Sequence, residues 1–191
     1  MPIPVPTYPS GYRLGSGDAS VQIEVFVDLE CPFSKTAWPT MLALMNEDDE
    51  RLSITAHPIV LCDHRQSWDL TKALTAIAGR NPLRGWKFIS HLYQHQQAFD
   101  SEAFRTKTRQ DLFQLIERLG KDFDDSLPMA DLTKEISEDS GDVASRTKTS
   151  IRYAADRGVW STPTFFINGS EVPQLESSST INDWHNFFAS L

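Results

Sequence analysis

Between Val21 and Trp38 the chain reads VQIEVFVDLECPFSKTAW, an apolar strand pattern that breaks at Asp28–Glu30 and restarts as a helix on Cys31-Pro32. Val21, Ile23, Val25 and Val27 share one face of that strand, and Gln22, Glu24 and Phe26 share the other. Proline is favoured at the first helical position, where its missing N–H would have had no intrahelical partner, so Cys31 falls at the N-cap. A sulfur there meets unpaired backbone N–H groups and the positive end of the helix dipole, which favour thiolate over thiol and make it a nucleophile. The competing role for the same residue is a buried, inert cysteine.

The helix is expected to run to about Met45 and to end at Glu47-Asp-Asp-Glu50, an acidic patch read as a solvated loop. Leu52–Cys62 then reads as a second strand, interrupted near Pro58. A strand, helix and strand of this length form a right-handed parallel crossover, so both strands end at one edge of the sheet. Cys62 is thereby brought to the edge that carries Cys31.

From Ser67 to about Gly158 the pattern is helical. Leu70, Ala73, Leu74 and Ile77 follow i, i+3, i+4, i+7 spacing, as do Leu112, Leu115, Ile116 and Leu119; Ile151, Ala154 and Ala155 lead to a glycine stop at Gly158. Trp86–Gln97 and Met129–Ile136 suggest two further helices, with Pro82 and Pro128 as breaks. Strands return at the end. Thr164–Ile167, Asn168-Gly169 and Glu171-Val172 form a hairpin signal, because Asn-Gly supplies the positive φ angles of a two-residue turn. Thr180 and Asp183 cap a last helix whose Trp184, Phe187, Phe188 and Leu191 are expected to form one core stripe. Tyr12–Leu14 reads as a short edge strand, preceded by an extended arm with Pro2, Pro4, Pro6 and Pro9.

A length of 191 residues, 40% of them hydrophobic, suits one domain or one domain with an insertion. A net charge of −8 without a dense Lys/Arg cluster argues against nucleic-acid and anionic-membrane partners. Two cysteines are too few for a disulfide scaffold, and the start MPIPVPTYPSGY has no secretory pattern, so a cytoplasmic setting is expected. On that ground Asn168-Gly-Ser170 is read as a coincidental match to a glycosylation acceptor.

The run Phe26-Val-Asp28-Leu-Glu-Cys31-Pro32-Phe33-Ser34 resembles the active-site segment of DsbA-like thiol oxidoreductases, which usually carry Cys-Pro-x-Cys. Gly158-Val-Trp-Ser-Thr162-Pro163-Thr164-Phe165 resembles that family's second signature, in which a Thr-Pro bond is cis and its loop faces the nucleophilic cysteine. The resemblance implies an α/β, thioredoxin-like fold with an inserted α-helical subdomain. Residues 1–65 and 159–191 would form the two parts of the thioredoxin-like domain, and 66–158 the insertion. It also implies that Thr162 and Pro163 bind substrate, the Thr162 backbone pairing with an extended peptide or glutathione as in strand addition. Here Ser34 replaces the second motif cysteine, so the expected chemistry is monothiol exchange through a Cys31 mixed disulfide with protein thiols or glutathione, with no bound cofactor. Family members often place an acidic residue in the strand where this chain has Val25. Glu24 lies one residue away, and no proton-transfer role is carried over to it.

Two alternatives belong to other classes: a kappa-class glutathione-transferase-like enzyme that activates glutathione's own thiol, and a non-catalytic module that holds thiols or peptides. A glutaredoxin-like iron–sulfur role, suggested by the likeness of Cys-Pro-Phe-Ser to Cys-Gly-Phe-Ser, is the weakest, since Pro32 stands where that family has glycine. Ser34 either donates to the Cys31 sulfur or satisfies helix backbone. Cys62 is a candidate resolving thiol, provided the two Cα atoms lie within about 7 Å. No metal site is expected: Cys62-Asp63-His64, with His57, lacks the paired spacing of a zinc site, and His91 with His95 reads as an exposed helix face.

Overall fold

The computed structural model of the chain describes residues 5, 6, 8–47 and 50–191. Pro2 and Pro4 of the arm, and Asp48 and Asp49 of the acidic patch, lie outside them. The alternation read in Val21–Asp28, strand β2, sets up two packing layers. Ile23, Val25 and Val27 enter the main core, while Phe26 joins Ile59, Ala154, Val159 and Phe166 in a second, smaller cluster on the other face.

Among the described residues five strands form one sheet in the order β1 (Tyr12–Leu14), β3 (Leu52–Ile59), β2, β4 (Thr164–Ile167), β5 (Ser170–Glu171). β2 and β3 are parallel, joined by helix α1 (Pro32–Asn46), with Asp28 paired to Ile59; the other neighbours are antiparallel. Between β3 and β4 the chain forms α2 (Ser67–Ala78), α3 (Pro82–Gln94), a 3₁₀ turn (Gln96–Ala98), α4 (Arg109–Phe123), α5 (Met129–Ser137) and α6 (Asp142–Asp156). Helix α7 (Ile181–Phe188) follows β5. This is the α/β, thioredoxin-like plan with a helical insertion. Among the described residues no helix is long and apolar enough to cross a membrane.

Several elements differ from their sequence patterns. β3 stops at Ile59 and runs through Pro58 without interruption. β1 pairs only with Ile54 to Ala56, and the Pro58 carbonyl instead accepts a bond from Ser150 Oγ, so the missing N–H falls on a side with no strand to serve. Pro82 does not lie outside α3 but opens it, after an Asn81 cap, and that helix ends at Gln94. β5 comprises Ser170–Glu171, one residue earlier than read. Leu191 is not core: it lies beyond α7 and is 68% exposed, whereas Trp184 is buried. The Asn168-Gly169 turn has the expected positive φ angles, 49° and 84°.

The packing of α3 positions the site. Trp86 and Trp38 rings lie 4.6 Å apart; Trp38 Nε1 donates to Ser90 Oγ, and Trp86 Nε1 to the Tyr12 carbonyl. Both indoles are buried with their N–H groups satisfied, which ties α3 to α1 and to β1. Tyr93 and Gln96, near the end of α3, are thereby set behind the turn that carries Cys31.

Candidate functional site

Cys31 is the N-cap of α1, with extended backbone angles and Pro32 in the first turn. Its N–H donates to the Asp28 carbonyl and its own carbonyl accepts from Lys35, so the turn is closed on both sides. The thiol is only 3% exposed, and Sγ donates to the Thr162 carbonyl at 3.2 Å. The Thr162–Pro163 peptide is cis. Two loops far apart in sequence thus meet at one sulfur. Among the described residues the Thr162 N–H has no intramolecular acceptor, and the buried Thr162 Oγ1 has no partner.

Behind the cysteine stands a network that sequence reasoning did not assign. Asp28 is fully buried and its carboxylate gathers three segments. Oδ1 accepts from the Glu30 N–H at 2.8 Å and Ser67 Oγ at 2.5 Å, and Oδ2 from the Leu61 N–H at 2.7 Å. His64 Nδ1 lies 3.0 Å from Oδ1, off the hydrogen-bond direction, so that attraction is chiefly electrostatic. The Asp28 carboxylate holds the His64 imidazole up at about 9, against burial that works to lower it, so His64 is cationic near neutral pH. The Tyr93 hydroxyl donates to the Asp28 carbonyl, and burial pushes that phenol well above its usual range.

Glu30 is held in the same way by Ser101 Oγ and by the backbone and side-chain N–H groups of Gln66, yet burial raises its carboxyl above the ordinary value. The Gln96 amide donates to both the Leu29 and Cys31 carbonyls at 3.0 Å. An uncompensated buried carboxylate is costly, and here most lone pairs are used, so the network fixes the Cys31 turn. Asp28 and Glu30 had a sequence signal, two acids ending an apolar strand beside a cysteine. Gln66, Tyr93 and Gln96 had none, because their partners are distant in the chain.

Ser34 is fully buried and its Oγ accepts the Asp28 N–H at 3.3 Å, which is backbone satisfaction, although of strand end rather than helix. Phe33, beside Cys31, is 62% exposed, and Trp160, two residues before Thr162, is 85% exposed. Cys62 is exposed and free, and Cys31 is likewise free. Both follow the paired residues Asp28 and Ile59 by the same number of positions, so they leave neighbouring strands at one edge. Cys62, Asp63 and His64 do not converge on a cation: the group of three donors found among the described residues is His91, His95 and Asp122.

Glu24 faces away from Val25, into a cluster with Tyr153 Oη at 2.5 Å, Arg157 at 3.0 Å and His57 at 3.2 Å. Burial works to raise its carboxyl, but His57, Tyr153 and Arg157 together hold it down at about 2. Glu24 lies early in β2, well before the strand ends at Asp28, and its partner Tyr153 packs against the smaller core.

Comparison with known proteins agrees with this arrangement. A family model described as thioredoxin matches residues 7–187. No curated protein matches the chain. A Pseudomonas syringae protein proposed to be a protein-disulfide isomerase superposes with a TM-score of 0.77 at 20% identity, covering 93% of this chain and 97% of its own. BdbD from Bacillus subtilis gives 0.73 at 16% identity, with 94% and 91% covered. Chlamydia trachomatis DsbA gives 0.69 at 14% identity, with 100% and 94% covered. With a cysteine at the head of the first helix, a cis-proline loop against its sulfur and a family match spanning nearly the whole sequence, the chain belongs to the thioredoxin family and has the DsbA-like form of its fold.

Proposed function

We propose that the protein is a DsbA-like thiol–disulfide oxidoreductase working through one cysteine, Cys31, on protein disulfides or glutathione mixed disulfides. The observation that carries this is the 3.2 Å contact between Cys31 Sγ and the carbonyl of Thr162, whose own N–H is free to pair. An extended peptide laid along Thr162 would take up that N–H and carbonyl, replace the thiol's bond, and bring its disulfide to the sulfur. Phe33, exposed in the first turn of α1, and Trp160, exposed on the cis-proline loop, give apolar surface for side chains flanking the substrate cysteine.

The exchange balances without an added oxidant. The Cys31 thiolate attacks one sulfur of the substrate disulfide, forming a mixed disulfide and expelling the other sulfur as thiolate. A second thiol, glutathione or a protein thiol, then attacks the substrate sulfur of that mixed disulfide and releases the Cys31 thiolate. Glutathione enters as co-substrate, and no bound organic group is needed. Ser34 cannot supply the resolving thiol, so the second thiol comes from outside the motif.

The test is reduction of a glutathionylated peptide by glutathione, with wild type compared to Cys31→Ser and Cys62→Ser. Loss of turnover with Cys31→Ser and retention with Cys62→Ser is expected. Turnover that survives Cys31→Ser would refute the proposal and favour the glutathione-transferase-like reading, in which glutathione's thiolate reacts and Cys31 does not.

A further inference from the structure

In the helical segment, His91 in the last turn of α3 and His95, the residue that caps that helix, lie side by side, and α4 brings Asp122 against them. His91 Nε2 lies 3.6 Å from Asp122 Oδ2, and His95 Nε2 lies 3.9 Å from the same oxygen. The three donor atoms all fall within 4.8 Å of one another. A tetrahedral zinc ion with imidazole and carboxylate ligands at about 2.0–2.1 Å needs its donor atoms roughly 3.3 Å apart. The two separations to Asp122 exceed that by about 0.3 and 0.6 Å, and Asp122, 65% exposed on its side chain, is free to move that far; the two imidazoles, within 4.8 Å of each other, must close the remainder by turning the more exposed His95 ring.

The surroundings orient the rings. His95 Nδ1 donates to the His91 carbonyl at 2.9 Å, which leaves the Nε2 lone pair of His95 bare and aimed at the cluster. The His91 ring is stacked on Phe88, with an interplanar angle of 18°, and packed against Phe123, so its plane is set before any ligand arrives. His91 Nε2 also lies 3.1 Å from the Leu119 carbonyl. On coordination the neutral ring changes tautomer: its proton passes through water from Nε2 to Nδ1, the bond to Leu119 is given up, and the Nε2 lone pair takes the metal. Water completes the fourth position.

We propose that His91, His95 and Asp122 bind one zinc-type divalent cation, clamping α3 to α4. Two imidazoles and a carboxylate suit zinc, cobalt and nickel far better than magnesium or calcium, which prefer oxygen alone. The i, i+4 histidine pair is visible in the sequence, but its third donor arrives from another helix. The site also adjoins the Cys31 support, since His95 is followed directly by Gln96, whose amide holds the Leu29 and Cys31 carbonyls.

The experiment is isothermal titration of zinc chloride into the full chain, free of any affinity tag and in a Cys31→Ser/Cys62→Ser background so that no sulfur competes. One zinc per chain is expected, and His95→Ala and Asp122→Ala should each weaken binding at least about tenfold, as loss of a ligand or its orienting partner does. Both residues are partly or largely exposed, so the variants should keep the parent's circular dichroism, and His91, packed between two phenylalanines, is left intact. Absence of binding, or an affinity unchanged in both variants, overturns the proposal.

Discussion

Replacing His64 with glutamine tests the ion pair that closes the network behind Cys31. The Asp28 carboxylate raises the imidazole from 6.5 to about 9 in the folded chain. The folded state therefore holds this proton more tightly than the unfolded one. The stability so gained is fully present below about pH 6.5 and is lost as pH rises through about 9. A rise of that size sets a ceiling of roughly 3 kcal/mol, and because the ring is partly open to solvent we expect about half, ~1.5 kcal/mol. Glutamine keeps much of the bulk and a donor for Asp28 but removes the charge. Urea unfolding of both proteins across a pH series, in a Cys31→Ser/Cys62→Ser background so that no thiol titrates, gives the difference. It should be about 1.5 kcal/mol near pH 6 and should vanish by about pH 10. A difference that is flat with pH, or that grows toward alkaline pH, would refute the ion pair.

Ser34→Cys places a thiol one helical turn from Cys31. Oxidised glutathione should then close a disulfide between them, lowering the titratable thiols from three to one, and dithiol oxidase activity should appear; three persisting thiols would contradict the geometry. The variant also gives up the hydroxyl that accepts the Asp28 N–H, at a cost of about 1 kcal/mol in the reduced form. Tyr153→Phe removes a bond to a carboxylate and should cost about 1.5–3 kcal/mol. Glu24, depressed to about 2, contributes stability that is present above about pH 4.5 and lost as pH falls through 2. Without Tyr153 the folded-state value rises, so less stability is held above pH 4.5 and its loss is complete at higher pH, seen as a raised acid-unfolding midpoint. Gly85→Ala would put a Cβ 2.5 Å from the Tyr12 ring, so despite alanine's better helix propensity a net loss of about 1–2 kcal/mol in urea unfolding is expected, through separation of α3 from β1.

Local signals carried the elements whose causes are local. The Cys31-Pro32 helix start, the Asn168-Gly169 turn and the Thr180/Asp183 capping box are each decided within a few residues, and the structure has all three. Patterns failed where a distant neighbour decided the outcome. Pro58 looks like a strand breaker, but β1 is too short to reach it, so nothing is broken. Leu191 fits the apolar stripe of α7, but the helix ends before it and no surface covers it.

The sequence by itself determined the order of strands and helices, the parallel crossover that brings Cys31 and Cys62 to one sheet edge, and the identity of the sulfur at the helix start. These follow from side-chain periodicity, backbone restrictions and chain connectivity, which act over short spans. Only the tertiary structure decided what surrounds that sulfur. The Thr162 carbonyl, the His64–Asp28 pair, the Gln96 amide and the meeting of Asp122 with His91 and His95 depend on how helices pack across the sheet. Such contacts pair polar groups that must be satisfied once buried, and no local pattern records which partner the fold will bring.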